Sequence, residues 1–135
     1  MTRRIIEAGL VLAAVFGLLA LFVDAIPPRA ETITAIGETF ARIGLYAKQN
    51  NSIPPSLAVL PKRTGYAKQT TDAWKRPLRY EVASDGVITL ASLGKDGRPG
   101  GDGDDADITR AYFGRRPDGS LWATSGMWLV DAEKR

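Results

Sequence analysis

The chain contains no cysteine and no histidine among its 135 residues. The first absence excludes disulfides and thiolate nucleophiles, and the second removes the side chain best suited to proton transfer near neutral pH. Without imidazole or thiolate ligands, a zinc or iron centre is not expected, whereas a site of carboxylate and carbonyl oxygens remains possible. We therefore predict that the protein is not an enzyme and has no small-molecule substrate.

Clustered positive charge is also missing. The formal net charge is only +3, and lysine and arginine occur singly or in pairs along the whole chain. A nucleic-acid-binding face needs a basic patch or stripe. No nucleic-acid partner is predicted.

A long apolar run is present near the N-terminus. Residues 5–23 carry a single charge, Glu7, and follow Arg3 and Arg4. At about 1.5 Å per residue, a helix of this length approaches the roughly 30 Å hydrocarbon thickness of a bilayer. The preceding arginines predict a cytoplasmic N-terminus, with the rest of the chain across the membrane.

Two alternatives stay open for this segment. A cleaved secretory signal needs small residues at its cleavage site. Phe22–Ile26 is a poor match to such a site, although cleavage at Val23-Asp24-Ala25 stays open. Glu7 either reaches water at the membrane surface or pairs with a cation on a neighbouring protein. We expect an uncleaved anchor, with residues 1–29 forming a cytoplasmic stub, a transmembrane helix and a break at Pro27-Pro28. Residues 30–135 would form one outer domain.

The outer domain reads as an α+β fold. A helical period runs from Ala30 to Lys48, and its apolar stripe must be covered by other elements. The predicted stripe is Ile33, Ile36, Phe40, Ile43 and Ala47, with Glu31, Thr34, Glu38 and Arg42 outside it.

A small antiparallel sheet is the predicted cover for this helix. Leu78–Val82 and Val87–Ala91 are β-rich runs separated by Ala83-Ser84-Asp85-Gly86, which predicts a hairpin. Further strands are predicted at Ala111–Phe113, Leu121–Thr124 and Met127–Val130.

Ser92 to Ile108, SLGKDGRPGGDGDDADI, is the most informative segment and is called the acidic loop below. It holds five of the fifteen acidic residues and five of the fourteen glycines. Crowded carboxylates repel one another unless a cation lies among them, and Ca²⁺ prefers roughly six to eight oxygen ligands. The spacing fits neither an EF-hand nor a calcium β-roll repeat. A solvated acidic turn without metal is the alternative.

The order of these features resembles the major pseudopilin of type II secretion systems. The matching segments are Leu45–Pro54, Gly65-Tyr66, Asp72-Ala73-Trp74, Pro77–Tyr80 and the acidic loop. The resemblance implies a type IV pilin-like fold, in which a transmembrane helix continues into an amphipathic helix packed on a small sheet with a calcium loop. It also implies a bacterial inner-membrane protein with a periplasmic domain. Its partners would be copies of itself or other pseudopilins, and the secretion machinery.

The same resemblance implies a ligand set for one Ca²⁺ ion. Leu93 would contribute its backbone carbonyl, and Asp96, Asp105 and Asp107 their carboxylates. Asp102 and Asp104 fall at positions where the family varies, so they match less well. Glu7 corresponds to the acid that the family uses in filament assembly.

The N-terminus departs from the family pattern. Prepilin peptidase recognises Gly followed by Phe, but aligning Glu7 with the family's acid puts Thr2 and Arg3 at those positions. The tail after Ile108 is also longer than in the family. Processing and polymerisation are therefore open, and the alternative is a membrane-tethered periplasmic calcium-binding domain that does not polymerise.

Overall fold

The computed structural model describes residues 25–65, 69–121 and 128–130. The predicted membrane segment 5–23 and Glu7 lie outside these residues, so the division at residue 29 stays a prediction. In the part of the chain that is described, no helix combines the length and the apolar character needed to cross a membrane.

One long helix, α1, spans Pro28–Asn50. Residues 25–27 are not helical, and Pro27 has extended backbone angles of −56° and 138°. Pro28 occupies the first helical position, where its missing N–H has no partner to lose. The helix therefore begins two residues before the predicted start at Ala30. It ends at Asn50, because the following Asn51 has a left-handed φ of 49° that stops the helix.

A four-stranded antiparallel sheet follows the helix, in the order β1-β2-β3-β4. The predicted hairpin is confirmed, and Gly86 provides the positive φ of 83° that its turn requires. Leu121 makes only an isolated bridge to Arg115, and the rest of its predicted strand, 122–124, lies outside the described residues. The strands are β1 Arg79–Val82, β2 Val87–Ser92, β3 Ile108–Phe113 and β4 Trp128–Val130.

The hydrophobic core lies between one face of α1 and the sheet. On the helix, Phe40 packs against Tyr112 of β3 with ring centroids 4.0 Å apart. Each fully buried large apolar side chain contributes about 1.5–3 kcal/mol. The core therefore fixes the sheet, and with it the loops between its strands, against the helix. Its buried members are Ile36, Phe40, Ile43, Leu60, Leu78, Ile88, Leu90 and Ile108.

The predicted helix stripe is correct at four positions and wrong at two. Ile33 is 42% exposed, while Arg42, predicted to lie outside the stripe, is only 5% exposed. Arg42 is buried because its guanidinium donates from Nε to the Pro61 carbonyl and from Nη2 to the Leu60 carbonyl. It thereby ties the segment after the helix back onto α1.

Two threonines of α1 are also fully buried, Thr32 and Thr39. Each hydroxyl donates to a carbonyl one turn earlier, Thr32 to Pro28 and Thr39 to Ala35. A buried hydroxyl is tolerated when it is hydrogen-bonded in this way. Thr32 rather than Ile33 therefore lies on the inner face of the first turns.

Candidate functional site

The acidic loop connects β2 to β3, which are adjacent antiparallel strands. Ser92 pairs with Ile108 at the base of the loop, and both are almost fully buried. A short 3₁₀ helix, Gly103–Asp105, interrupts its second half. Both ends of the loop are therefore anchored in the core, while its middle lies at the surface.

Backbone contacts hold the two halves of the loop together. The Lys95 N–H donates to the Asp104 carbonyl at 2.8 Å. Gly94, with a φ of +71°, approaches so closely that a Cβ there would lie 2.5 Å from the Asp105 carbonyl oxygen. Only glycine accommodates both this conformation and this approach. The loop therefore has a closed backbone that depends on Gly94.

The carboxylates predicted to bind the metal differ in their hydrogen bonds and in their exposure. Asp107 reaches across the loop, because its Oδ2 accepts the Gly100 N–H at 3.1 Å. Asp96 instead closes its own turn by accepting the Arg98 N–H at 3.0 Å. Leu93 and Asp105 are half-buried, whereas Asp96, Asp107, Asp102 and Asp104 are exposed.

No three acidic side chains of the described residues are gathered as a metal site. The structure brings backbone of the two loop halves together, and it brings Asp107 to the glycine-rich middle. It does not by itself bring the carboxylates of Asp96, Asp105 and Asp107 to one point.

A buried carboxylate, Asp72, supports the base of the loop. Its Oδ1 accepts the N–H groups of Trp74 at 3.0 Å and Arg76 at 2.9 Å, and its Oδ2 accepts the Ser92 hydroxyl at 2.7 Å. The Ser92 hydroxyl oxygen in turn accepts the Gly94 N–H. Asp72 is only 4% exposed. This carboxylate therefore joins the turn before β1 to the first residues of the acidic loop.

Two arginines hold the loop through its backbone carbonyls. Arg76 donates to Gly94 O at 2.7 Å and to Lys95 O at 2.8 Å. Arg29, in the first turn of α1, donates from Nη1 to Gly103 O at 3.0 Å and to Ala106 O at 2.7 Å. The first half of the loop is thus tied to the Asp72 turn, and the second half to the helix.

Sequence reasoning identified the Asp72-Ala73-Trp74 motif but assigned no role to it. An aspartate that accepts N–H groups two and four residues later is a recognisable turn signal. Arg29 and Arg76 carried no comparable signal, because their acceptors are backbone carbonyls, which every residue possesses.

The chemistry of the loop fits a hard cation. Its donors are carboxylate and carbonyl oxygens, with five aspartates against one lysine and one arginine, which gives a formal charge of −3. Such donors suit Ca²⁺, which accepts irregular geometry and several carbonyl ligands. Imidazole and thiolate, which would favour zinc, do not occur in the chain.

Comparison with known proteins identifies the family. Residues 43–111 match the family described as Type II secretion system (T2SS), protein G, and this match covers half of the chain. The chain belongs to that family, as the sequence features predicted. The Type II secretion system core protein G of Xanthomonas campestris pv. campestris is similar, with 50% identity over 46 residues. That alignment spans 32% of this chain and 32% of the relative, so the chain matches about a third of the relative's length.

Proposed function

We propose that this protein is a structural subunit of a type II secretion pseudopilus, anchored in the inner membrane by residues 5–23 with its folded domain in the periplasm. One observation carries this proposal. The family match over 43–111 contains the last third of α1, the hairpin and the whole acidic loop. The subunit would assemble with its own copies or with other pseudopilins, and would perform no chemistry.

Secretion by the host bacterium tests the assembly role. Deleting the gene should abolish release of type II substrates, and the wild-type gene should restore it. Glu7→Ala should fail to restore secretion although the protein still accumulates in the membrane, because an acid within the bilayer needs a cationic partner. Glu31→Gln removes an acid that is exposed on α1 and should restore secretion fully. Normal secretion by the deletion strain would overturn the proposal.

The second candidate function is a membrane-tethered calcium-binding domain that does not polymerise. It is favoured by Thr2 and Arg3, which stand where the peptidase of this family reads Gly and Phe. The mass of the membrane-extracted protein distinguishes the two. A processed and methylated N-terminus supports a filament subunit, whereas an intact Met1 supports the tethered domain.

The acidic loop is proposed to bind one Ca²⁺ ion through the Leu93 carbonyl and the carboxylates of Asp96, Asp105 and Asp107. The all-oxygen donor set, the charge of −3 and the contact of Asp107 with the Gly100 N–H across the loop support this assignment. The ion would offset the repulsion among the aspartates. Its role would be to stabilise the connection between β2 and β3.

Thermal unfolding of the full chain in detergent tests the calcium site. A ligand at 100 times its Kd stabilises the folded state by about 2.7 kcal/mol, which for a domain of this size raises Tm by roughly 10–20 °C. Asp96→Ala and Asp107→Ala should lose this response. An unchanged Tm between EDTA and excess Ca²⁺ in the wild type would exclude the site.

Asp118→Ala is the matched control for these variants. Asp118 also closes a turn, since its Oδ1 accepts the N–H and the hydroxyl of Ser120, and the Ser120 hydroxyl bond lowers its pKa. It lies outside the acidic loop, in the segment after β3. Its removal should leave the calcium response intact.

A further inference from the structure

Arg29 joins two distant parts of the chain. It lies in the first turn of α1, yet its Nη1 donates to the carbonyls of Gly103 and Ala106, 74 and 77 residues further along. These two carbonyls flank Asp104 and Asp105, the acidic residues of the 3₁₀ helix in the acidic loop. One guanidinium therefore fixes the backbone on both sides of a proposed calcium ligand.

The helix end of this contact is itself held in place. Thr32, one turn after Pro28, donates its hydroxyl to the Pro28 carbonyl and accepts the Ala73 N–H at 3.1 Å. The first turn of α1 is thus attached to the Asp72 turn through Thr32 and to the acidic loop through Arg29. Of these two attachments, the one through Arg29 would transmit a change in the loop backbone to the start of the helix.

We propose that Arg29 is a positioning residue that couples cation binding in the acidic loop to the first turn of α1. The proposal rests on the calcium site of the preceding section. Arg29 would hold the Gly103–Ala106 segment in the conformation that presents Asp105 to the ion. By the reciprocity of coupled equilibria, the bound ion would stabilise the helix start to which Arg29 belongs.

Two physical effects of Arg29 on calcium affinity have opposite signs. As a positive charge beside the loop, the guanidinium repels Ca²⁺, so its removal would tighten binding. As a positioning residue, it holds a ligand in place, and loss of such an outer contact typically weakens metal binding 10–100-fold. The direction in which affinity changes therefore distinguishes positioning from simple charge.

The first measurement is a calcium titration of the full chain in detergent, monitored by calorimetry. Arg29→Gln should bind Ca²⁺ at least about 10-fold more weakly than the wild type. Arg29→Lys keeps the charge and a donor but not the planar fork, so its affinity should lie between the two. Arg79→Gln removes an exposed arginine of β1 and should leave affinity unchanged. Tighter or equal binding by Arg29→Gln would overturn the proposal.

Hydrogen exchange at the helix start supplies the second measurement. In the wild type, Ca²⁺ should slow exchange of the amides of residues 31–34, and in Arg29→Gln this slowing should be lost. In EDTA, Arg29→Gln should speed exchange at Ala106, whose N–H donates to Gly103 O. A helix start that responds equally to Ca²⁺ in both proteins would overturn the coupling.

The outcomes separate this inference from the calcium proposal. A wild type that does not bind Ca²⁺ overturns both the calcium site and the coupling. A wild type that binds Ca²⁺, with an Arg29→Gln variant that binds equally well, overturns the coupling alone.

Discussion

Removing the buried carboxylate of Asp72 should destabilise the domain strongly. Asp72 is 4% exposed and accepts three hydrogen bonds, from the N–H groups of Trp74 and Arg76 and from the Ser92 hydroxyl. A hydrogen bond to a charged group is worth about 1.5–3 kcal/mol, and a donor left buried without a partner costs a similar amount. Since some of the freed donors can reach water, we expect Asp72→Ala to lower the free energy of unfolding by about 3–5 kcal/mol.

Asp72→Asn is the conservative variant. The asparagine oxygen can keep both backbone N–H groups, but its amide would face the Ser92 hydroxyl and reverse that hydrogen bond. The free energy of unfolding should fall by about 1–2 kcal/mol, because the negative charge and the original hydrogen bond with Ser92 are lost while the shape of the side chain is kept. This variant remains folded and measurable if Asp72→Ala does not.

Chemical denaturation followed by far-ultraviolet circular dichroism measures both changes. Asp118→Ala is again the control, since Asp118 accepts two similar hydrogen bonds from Ser120 but is exposed. Surface changes of this kind usually stay within about 0.5 kcal/mol. A loss below about 1 kcal/mol for Asp72→Ala would refute the reasoning, because burial would then add nothing to the turn.

Two further predictions concern Tyr80 and Gly94. Burial raises the pKa of Tyr80 to about 12, and its hydroxyl donates to the Pro54 carbonyl at 2.6 Å. Stability from this tyrosine is therefore fully present below pH ~10 and falls as the pH rises through ~12. Tyrosinate absorbance should show a step near pH 12 that Tyr80→Phe removes, and a titration curve unchanged by this substitution would contradict the prediction. Gly94→Ala should destabilise well beyond the roughly 1–2 kcal/mol of left-handed strain expected at Gly100→Ala, since a Cβ at Gly94 meets a backbone carbonyl and one at Gly100 meets open space. Equal costs in denaturant melts would show that the close approach does not matter.

The helix and the hairpin could be predicted because their signals are local. The apolar period from Ile36 to Ala47 identified the buried face, and Asp85-Gly86 identified the turn between β1 and β2. The family could be predicted as well, from its resemblance in the segments between Leu45 and Tyr80 and in the acidic loop, which is the most specific of them. All of these features can be recognised from the residue types and their order, so no tertiary information was needed.

The burial of Ile33 and Arg42 was predicted wrongly because it depends on the segments that pack against α1. A period of 3.6 residues predicts a face but does not tell which neighbours cover it. Ile33 is exposed because Thr32 contacts the Asp72 turn instead, through the Ala73 N–H. Arg42 is buried because the segment ending at Pro61 returns to the helix and offers it carbonyl acceptors. Both outcomes depend on the path of a distant segment, which the local pattern does not contain.

The acidic loop is likewise held by residues distant from it in the sequence, and these residues contact its backbone rather than its carboxylates. The hydrogen bonds from Arg29 and Arg76 go to carbonyls of Gly94, Lys95, Gly103 and Ala106. Had these guanidinium groups formed bidentate pairs with loop aspartates, they would have occupied the oxygens that a cation needs. By binding carbonyls they fix the backbone and reduce the repulsion among the aspartates, while the carboxylates stay available. In such an arrangement the residues that hold the loop are not its proposed ligands. A side-chain pattern could therefore propose the aspartates but could not predict Arg29 and Arg76 as the residues that hold the loop.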